Sequence, residues 1–184
     1  CKQKCSYCNF HFSTSLKQKD EMISAIKQEL FLRKEELESK TLSSLYFGGG
    51  TPSIFSVDEI KSLIDEVLKY FNFEKNIEIT LEANPDDLDK NFLKDLAKTE
   101  INRLSIGTQS FFEEDLKLMN RAHNASEAES SIKRAQDFGF ENLSIDLIYG
   151  SPTSNFEIWK ENLQKTIELQ VPHVSSYALT IEPK

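Results

Sequence analysis

The residues best suited to chemistry are three cysteines near the start of the chain. Cys1, Cys5 and Cys8 follow the spacing C-x3-C-x2-C, and no other cysteine occurs among the 184 residues. Three thiolates on one short loop can hold three corners of a cubane iron–sulfur cluster and leave its fourth iron open. An iron–sulfur site is therefore one chemistry that this loop could support.

Two other uses of these thiols stay open on spacing alone. A structural zinc site needs four ligands in a closed tetrahedron, and His11 is the only nearby residue that could complete one. A disulfide would leave one cysteine over, in a chain that shows no secretory signal. Other segments must decide between the iron–sulfur and zinc alternatives.

A second segment with chemical character is the sequence Y-F-G-G-G-T-P at residues 46–52. It predicts a strand that runs directly into three glycines, which let a ligand approach the backbone closely. Thr51 adds a hydroxyl group that can donate or accept a hydrogen bond. Taken alone, the same glycines could form only a tight strand-to-helix turn.

The two segments together resemble the radical S-adenosylmethionine proteins, in which C-x3-C-x-Y-C is followed by a strand ending in G-G-G-T-P. More narrowly, they resemble the family that holds oxygen-independent coproporphyrinogen III oxidase and the haem chaperone HemW. The resemblance implies that Cys1, Cys5 and Cys8 bind a 4Fe–4S cluster, whose open iron takes the amino and carboxylate groups of S-adenosylmethionine. It also implies that Gly49, Gly50 and Thr51 receive the methionyl amino group.

Polar side chains occur at the ends of other predicted strands. Glu82 closes an alternating strand just before Asn84-Pro85, Gln109 is the glutamine of G-T-Q-S-F, and Asp146 is the aspartate of I-D-L-I-Y-G-S-P. Ligands of parallel β/α folds bind at the carboxyl ends of the strands. These side chains are therefore expected to share one pocket.

Three polar residues of the sequence, Glu82, Arg121 and His123, have a simpler structural interpretation. Glu82 could pair with Arg103 on the neighbouring strand. Arg121, taken alone, is typical of a surface ion pair. His123 is more typical of a structural or exposed histidine than of a ligand.

The resemblance gives the same positions more specific roles. It implies that Glu82 and Asp146 contribute to the S-adenosylmethionine pocket, and Gln109 offers the donor and acceptor that suit a ribose hydroxyl pair. Arg121 matches a family arginine, and its guanidinium could clamp the methionyl carboxylate. Thr180 is a looser match that would contact adenine. No catalytic residue is assigned beyond the cluster ligands.

Alternating helices and strands would position these residues. The apolar periodicity predicts helices over residues 20–39, 57–71 and 87–98, a helix opened by a Ser126–Glu129 capping box and ended by Gly139, and a last helix from about 154. The inner stripe of that last helix is predicted to hold Phe156, Trp159, Leu163 and Ile167. Strands are predicted over 45–47, 76–82, 103–107, 143–148 and 174–181.

Strands and helices at this spacing predict right-handed parallel β/α units, with no domain boundary inside the chain. Several strands keep one polar face, which indicates a wide or incomplete barrel around a polar ligand. The resemblance implies a partial (β/α)6 TIM-like barrel whose first strand would lie upstream of Cys1. Residues 1–184 are thus expected to be a radical S-adenosylmethionine core domain, without that strand and without a carboxy-terminal domain.

The composition of the chain limits the classes of partner that we expect for it. The net charge of −8 argues against a nucleic-acid partner bound through its phosphates, and no apolar run is long enough to span a membrane. Hydrophobic residues make up 39% and charged residues 28% of the chain, as in an ordinary globular domain. Clustered rather than paired thiols indicate a cytoplasmic protein.

One position separates the two branches of the family. The oxidase branch has C-x3-C-x2-C-x-C, whereas Phe10 occupies the place of the last cysteine here. This favours a haem chaperone that takes up haem and passes it to haem-accepting proteins. The alternative is an oxidase that decarboxylates coproporphyrinogen III to protoporphyrinogen IX. Reductive cleavage of S-adenosylmethionine is compatible with both.

Overall fold

A computed structural model describes residues 1–180 of the chain. Five parallel strands form one sheet in the order β1-β2-β3-β4-β5, which curls into a half-barrel. The predicted partial TIM-like barrel is confirmed. The strands are β1 (Thr41–Phe47), β2 (Asn72–Ala83), β3 (Arg103–Gln109), β4 (Leu143–Tyr149) and β5 (His173–Ala178). The predicted end of the last strand, at Ile181, lies outside the described residues.

Six helices connect these strands, and every predicted helix has a counterpart among them. They are α1 (Lys19–Arg33), α2 (Val57–Leu68), α3 (Lys90–Leu96), α4 (Glu113–Leu118), α5 (Ala125–Asp137) and α6 (Phe156–Glu168). Single 3-10 turns follow β1 and β2. Within residues 1–180 no helix is long and apolar enough to cross a membrane.

Side-chain alternation gives the sheet one apolar and one polar face, as predicted. Ile79 and Leu81 of β2 are fully buried, whereas Glu82 points to the other face. The parallel register places Glu82 beside Ser105, and Ser105 beside Ser144. Successive residues of a strand point to opposite faces, so this register lines up a polar row across three strands. The polar row faces the inside of the half-barrel.

The hydrophobic core lies between the apolar face and the helices. Ile60 and Ile64 of α2 and Ile132 of α5 are fully buried there. Burying a side chain of this size stabilises the fold by roughly 1.5–3 kcal/mol. The core residues contributed by the strands are Ile79, Leu81, Ala83, Leu104, Ile106, Leu143, Ile145 and Leu147.

The first helix is shorter and less amphipathic than its sequence predicts. It ends at Arg33 rather than near Ser39, and only Ile23 is buried. Ion pairs of Arg33 with Glu29 and Glu36 tie down the turn that ends it. The apolar residues of α1 line a groove of about 830 Å³ that the helix forms with β1 and α2. The periodicity therefore identified the helix but not how deeply it is buried.

The cap of α5 lies two residues earlier than predicted. Asn124 has extended backbone and accepts the backbone N–H of Glu127, whose side chain accepts the N–H of Asn124 in return. Ser126 is already helical, so the Ser126–Glu129 box was wrong. Both pairs fit the same spacing, and only the backbone angles separate them. Gly139 follows the helix with φ +89°, as predicted for a C′ residue.

The predicted inner stripe of α6 is half confirmed, because Trp159 and Leu163 pack against the core. Phe156 and Ile167, predicted to face inward, are 75% and 69% exposed. Asn162 is buried instead, and its Oδ1 accepts the backbone N–H of Phe111 at 2.7 Å. A buried amide without partners is costly, so this contact sets the helix orientation.

The helix α4 was missed because it has only six residues. Its buried Asp115 accepts hydroxyl hydrogen bonds from Ser110 at 2.9 Å and from Thr153 at 2.5 Å. These bonds join the loops that follow β3 and β4. The sequence signal, an acidic first turn at Glu113–Asp115, is too short to show helical periodicity.

The position of the α5 cap gives a stability prediction. Asn124→Ala should lower the free energy of unfolding by about 1 kcal/mol, because the N–H of Glu127 loses its acceptor. Urea denaturation measures the change. Ser126→Ala is the matched control and should stay within about 0.5 kcal/mol of the parent chain. A larger loss of stability in Ser126→Ala than in Asn124→Ala would indicate that Ser126 is the cap.

Candidate metal and cofactor site

All the residues selected from the sequence line one cavity. It has a volume of about 570 Å³ and lies where the carboxyl ends of the strands meet the cysteine loop. The residues brought together are Cys1, Cys5, Cys8, Gly49, Gly50, Thr51, Glu82, Gln109, Arg121, Asp146 and Thr180. The larger groove beside α1 is mainly apolar and holds only one of the cysteines, so the smaller cavity is the candidate site.

Two of the three cysteine sulfurs accept hydrogen bonds from the protein. Thr51 Oγ1 donates to Cys1 Sγ at 3.1 Å, and Arg121 Nη1 donates to Cys5 Sγ at 3.2 Å. All three thiols are free and partly buried. Cysteine binds metal as the thiolate, so three free thiols at one cavity are possible metal ligands.

The described residues contain no group of three His, Cys, Asp or Glu side chains placed to hold one metal ion. The zinc alternative, which would add His11 to the cysteines, thus finds no such group within residues 1–180. A cubane makes a different demand, because each cysteine ligates its own iron atom. Three free thiols around one cavity match that donor set.

Arg121 connects three parts of the site. Its Nη2 donates to Asn84 Oδ1 at 2.6 Å and to the Gly107 carbonyl at 2.8 Å, while Nη1 also reaches the Tyr7 hydroxyl at 3.3 Å. These bonds tie β3 and the loop after β2 to the cysteine loop. The surface ion pair predicted as an alternative for Arg121 is wrong.

The charge of Arg121 has no carboxylate partner in the part of the chain that the structure describes. Its Nε is inaccessible and has no hydrogen-bond partner there. Burial alone would lower the pKa of this guanidinium, but Tyr7 and Cys5 beside it raise the pKa overall. A partly buried cation without a carboxylate partner is an arrangement that favours an anionic ligand nearby.

Gly107 allows this arginine to lie against the sheet. A Cβ at this position would stand 3.2 Å from Arg121 Nη2 and 3.2 Å from Gln109 Nε2. Gln109 itself has φ +66° at the end of β3, where the pairing with β4 shifts register. The strand end is thus shaped to expose both side chains to the cavity.

Glu82 holds the glycine turn in place. Its Oε1 accepts the Tyr46 hydroxyl at 2.8 Å, and its Oε2 accepts the backbone N–H of Gly49 at 3.1 Å. A Cβ on Gly48 would meet Tyr46 Cε1 at 2.5 Å, so glycine is required for this packing. Burial and the carboxylate of Glu82 raise the pKa of Tyr46 to about 12.

The predicted alternative of a Glu82–Arg103 pair is not observed. Arg103 instead lies 3.6 Å from Glu78 and donates to Thr80 Oγ1 at 3.3 Å. The contacts of Glu82 are thus with uncharged groups, and its carboxylate keeps its charge at the wall of the cavity.

Asp146 and His123 are both shifted towards their neutral forms. Burial, followed by the charge of Glu82, raises the pKa of Asp146. His123 is buried beside Arg121, and burial first and that charge second lower its pKa to about 4. Its Nε2 lies 3.1 Å from the carbonyl oxygen of Thr108, which matches the structural role predicted for it.

The match to known proteins covers most of this site. Residues 1–166 match the family model described as Radical SAM superfamily. The chain belongs to the radical SAM superfamily. This family implies a 4Fe–4S cluster and S-adenosylmethionine as cofactors.

Curated relatives of this radical SAM chain carry the name heme chaperone HemW. The protein from Haemophilus influenzae is 38% identical over 189 residues, and that from Escherichia coli strain K12 is 36% identical over 186 residues. Each alignment covers 100% of this chain and 49% of the relative. The chain therefore spans about half the length of these relatives.

Solved structures share the radical SAM fold. The coproporphyrinogen III oxidase HemN from Escherichia coli aligns with a TM-score of 0.89 at 29% identity, covering 100% of this chain and 43% of that one. The native anSMEcpe structure with bound AdoMet aligns with a TM-score of 0.70 at 15% identity, over 100% of this chain and 50% of that one. At that identity the second likeness shows the fold alone.

Sequence reasoning missed several residues that shape the site. Asn84 and Tyr7 both contact the Arg121 guanidinium, and Tyr46 contacts Glu82. Signals were present, because Asn84 precedes a proline after a strand and Tyr46 precedes the glycine triplet. Their roles depend on side-chain directions that the spacing does not reveal.

The shift of Asp146 gives a prediction about pH. Its folded-state pKa lies above the unfolded value, so the stability that this group contributes is present at low pH and lost as the pH rises through the folded pKa. Asp146→Asn cannot ionise and should therefore gain stability relative to the parent chain as the pH rises above about 4, levelling off beyond the folded pKa.

Urea denaturation of the metal-free protein at several pH values between about 4 and 8 measures this difference. Asp65→Asn, at an exposed position of α2, controls for the loss of one carboxylate. A difference between Asp146→Asn and the parent chain that does not change with pH would contradict the prediction.

Proposed function

We propose that Cys1, Cys5 and Cys8 hold a 4Fe–4S cluster and that the cavity above the strand ends binds S-adenosylmethionine. Three free thiols, two of them accepting hydrogen bonds, line one cavity with an arginine that has no carboxylate partner in residues 1–180. When bound, the cluster supplies the electron for reductive cleavage of S-adenosylmethionine. The residues of the chain bind and orient the two cofactors.

Arg121 would attract and orient the methionyl carboxylate by its positive charge. Its place on the cavity wall supports the assignment, because it has no carboxylate partner in residues 1–180 and an anion there would compensate the charge. Gly49, Gly50 and Thr51 would receive the amino group. Since Glu82 already accepts the N–H of Gly49, it keeps that turn in shape for the ligand.

The remaining cavity residues would bind the adenosine part. Gln109 can both donate to and accept from ribose hydroxyls. Asp146 lines the same cavity, and its carboxyl oxygens can accept hydrogen bonds from hydroxyl or amino groups of the ligand. Thr180, exposed at the edge of the cavity, would contact adenine. None of these residues is assigned a proton-transfer or nucleophilic role.

At the level of the parent protein we propose a haem chaperone of the HemW type. The observation that carries this proposal is Phe10, which lies at the cavity and is 76% exposed where the oxidase branch has a cysteine. The names of the curated relatives agree with it. Residues 1–184 would then be the core domain, and haem, haem-accepting proteins and a cytoplasmic location belong to the same proposal.

The second candidate function is oxygen-independent coproporphyrinogen III oxidase. The structural likeness to Escherichia coli HemN, at 29% identity, favours it. The fold and the cofactors would be shared by both candidates, so they do not discriminate between a carrier and an enzyme. Phe10 does, because a phenyl ring cannot supply a thiol beside the cluster.

The first test concerns the cluster ligands. Cys5→Ala should abolish the visible absorption, iron and sulfide that anaerobic reconstitution gives the parent protein, because the cluster loses one of three ligands. His11→Ala is the matched control on the same loop and should keep full iron and sulfide content. Stoichiometric zinc in anaerobically purified protein, lost in His11→Ala, would instead establish the zinc alternative.

The second test separates the two candidate functions. Full-length, reconstituted parent protein is incubated anaerobically with coproporphyrinogen III, S-adenosylmethionine and a reductant, and separately with haem. We expect stoichiometric haem uptake and no porphyrinogen conversion, because the loop lacks the oxidase cysteine at Phe10. Formation of protoporphyrinogen IX over many turnovers would show that the oxidase assignment is the correct one.

A further inference from the structure

The segment that follows α4 is the docking surface of the cysteine loop. Ser6 donates its backbone N–H to the Met119 carbonyl at 3.0 Å and its hydroxyl to the Leu118 carbonyl at 2.9 Å. Tyr7 packs against Leu116 and Met119 in a small apolar cluster. The middle of the loop is therefore held against a defined part of the fold.

Two side-chain amides extend this contact towards the start of the loop. Gln3 Nε2 donates to Asn120 Oδ1 at 2.6 Å and to the Asn120 carbonyl at 3.1 Å. Asn120 Nδ2 donates in turn to the Lys4 carbonyl at 2.6 Å. The side chains of Gln3 and Asn120 are both exposed, so they contribute little to the packing of the core. The reciprocal bonds act on the backbone between two of the cysteines.

The backbone of Asn120 explains why this residue can make the contact. It has φ +53°, a left-handed conformation that asparagine tolerates better than most residues. The next residue is Arg121, whose guanidinium reaches Cys5. One turn of the chain therefore presents both the amide that holds the loop and the arginine that contacts a cysteine sulfur.

We propose that Gln3 and Asn120 are positioning residues that fix the cysteine loop relative to Arg121. The proposal rests on the cluster site proposed above. Neither residue ligates metal. Their amides restrict the motion of the segment between Cys1 and Cys5, so that the ligands stay in place once a cluster is bound. The docking bonds involve protein groups alone, so they can form without a cluster.

The test compares Gln3→Ala, Asn120→Gly and the double variant in the reconstituted parent protein. Asn120→Gly removes the amide while keeping access to positive φ, so it isolates the side-chain contact from backbone strain. Each single variant should lose its cluster to an iron chelator about tenfold faster than the parent protein, as expected when one or two hydrogen bonds are removed. In the double variant the rate of cluster loss should rise by less than the product of the two single-variant factors, because both substitutions break the same contact.

A second readout uses the cluster-free protein. Trypsin should cleave after Lys4 faster in both single variants, since the loop is released from its dock. Gln164→Ala, whose amide donates to Glu168 within α6, is the matched control and should change neither rate.

The outcomes separate this proposal from the proposed function. Unchanged cluster loss and unchanged cleavage in both variants would overturn the positioning role while leaving the cluster site intact. Absence of a cluster from the parent protein itself would refute the site, and cleavage after Lys4 would still report on the docking. Variants that are folded but hold no cluster would support the positioning role more strongly than a faster loss.

Discussion

The guanidinium of Arg121 is the interaction on which the site depends. It joins Gly107 at the end of β3, Asn84 after β2, and Tyr7 and Cys5 on the cysteine loop. Hydrogen bonds that use a charged donor are stronger than neutral ones, and here they span segments more than a hundred residues apart in sequence. The described residues offer this cation no carboxylate, so its charge stays uncompensated beside the cavity. One side chain thus joins the segments that form the site and supplies the charge proposed to bind the ligand carboxylate.

The sheet creates the conditions for that interaction. Strict alternation buries Ile79 and Leu81 on one face and leaves Glu82 on the other, and the parallel register brings the polar ends of neighbouring strands together. Glycine at position 107 contributes to the same arrangement, because a Cβ there would lie 3.2 Å from Arg121 Nη2. A half-barrel with a polar interior follows from these local choices, and the cysteine loop closes over its open end.

Local patterns predicted the parts of the fold that depend on neighbours in sequence. The alternation of β2 and the C′ glycine at 139 both have causes that span a few residues. The motifs also predicted that the selected polar side chains share one pocket, and these residues line one cavity. One prediction failed where two local signals compete, because Asn124 and Ser126 both fit the spacing of a capping box. Another failed where a distant contact decides, because Asn162, bonded to Phe111 on another segment, is buried in α6. The contacts of Arg121 belong to the same class, since its partners lie on three separate segments.

The hydrogen bonds of Glu82 have a consequence for how a ligand would bind in the cavity. Both carboxylate oxygens are already engaged, one by the Tyr46 hydroxyl and the other by the Gly49 N–H. An ionised carboxylate has about four lone-pair sites, so acceptor sites remain on Glu82 while it holds the turn. A donor that binds there meets a side chain whose position is already fixed, and little rotamer entropy of that carboxylate remains to be lost on binding.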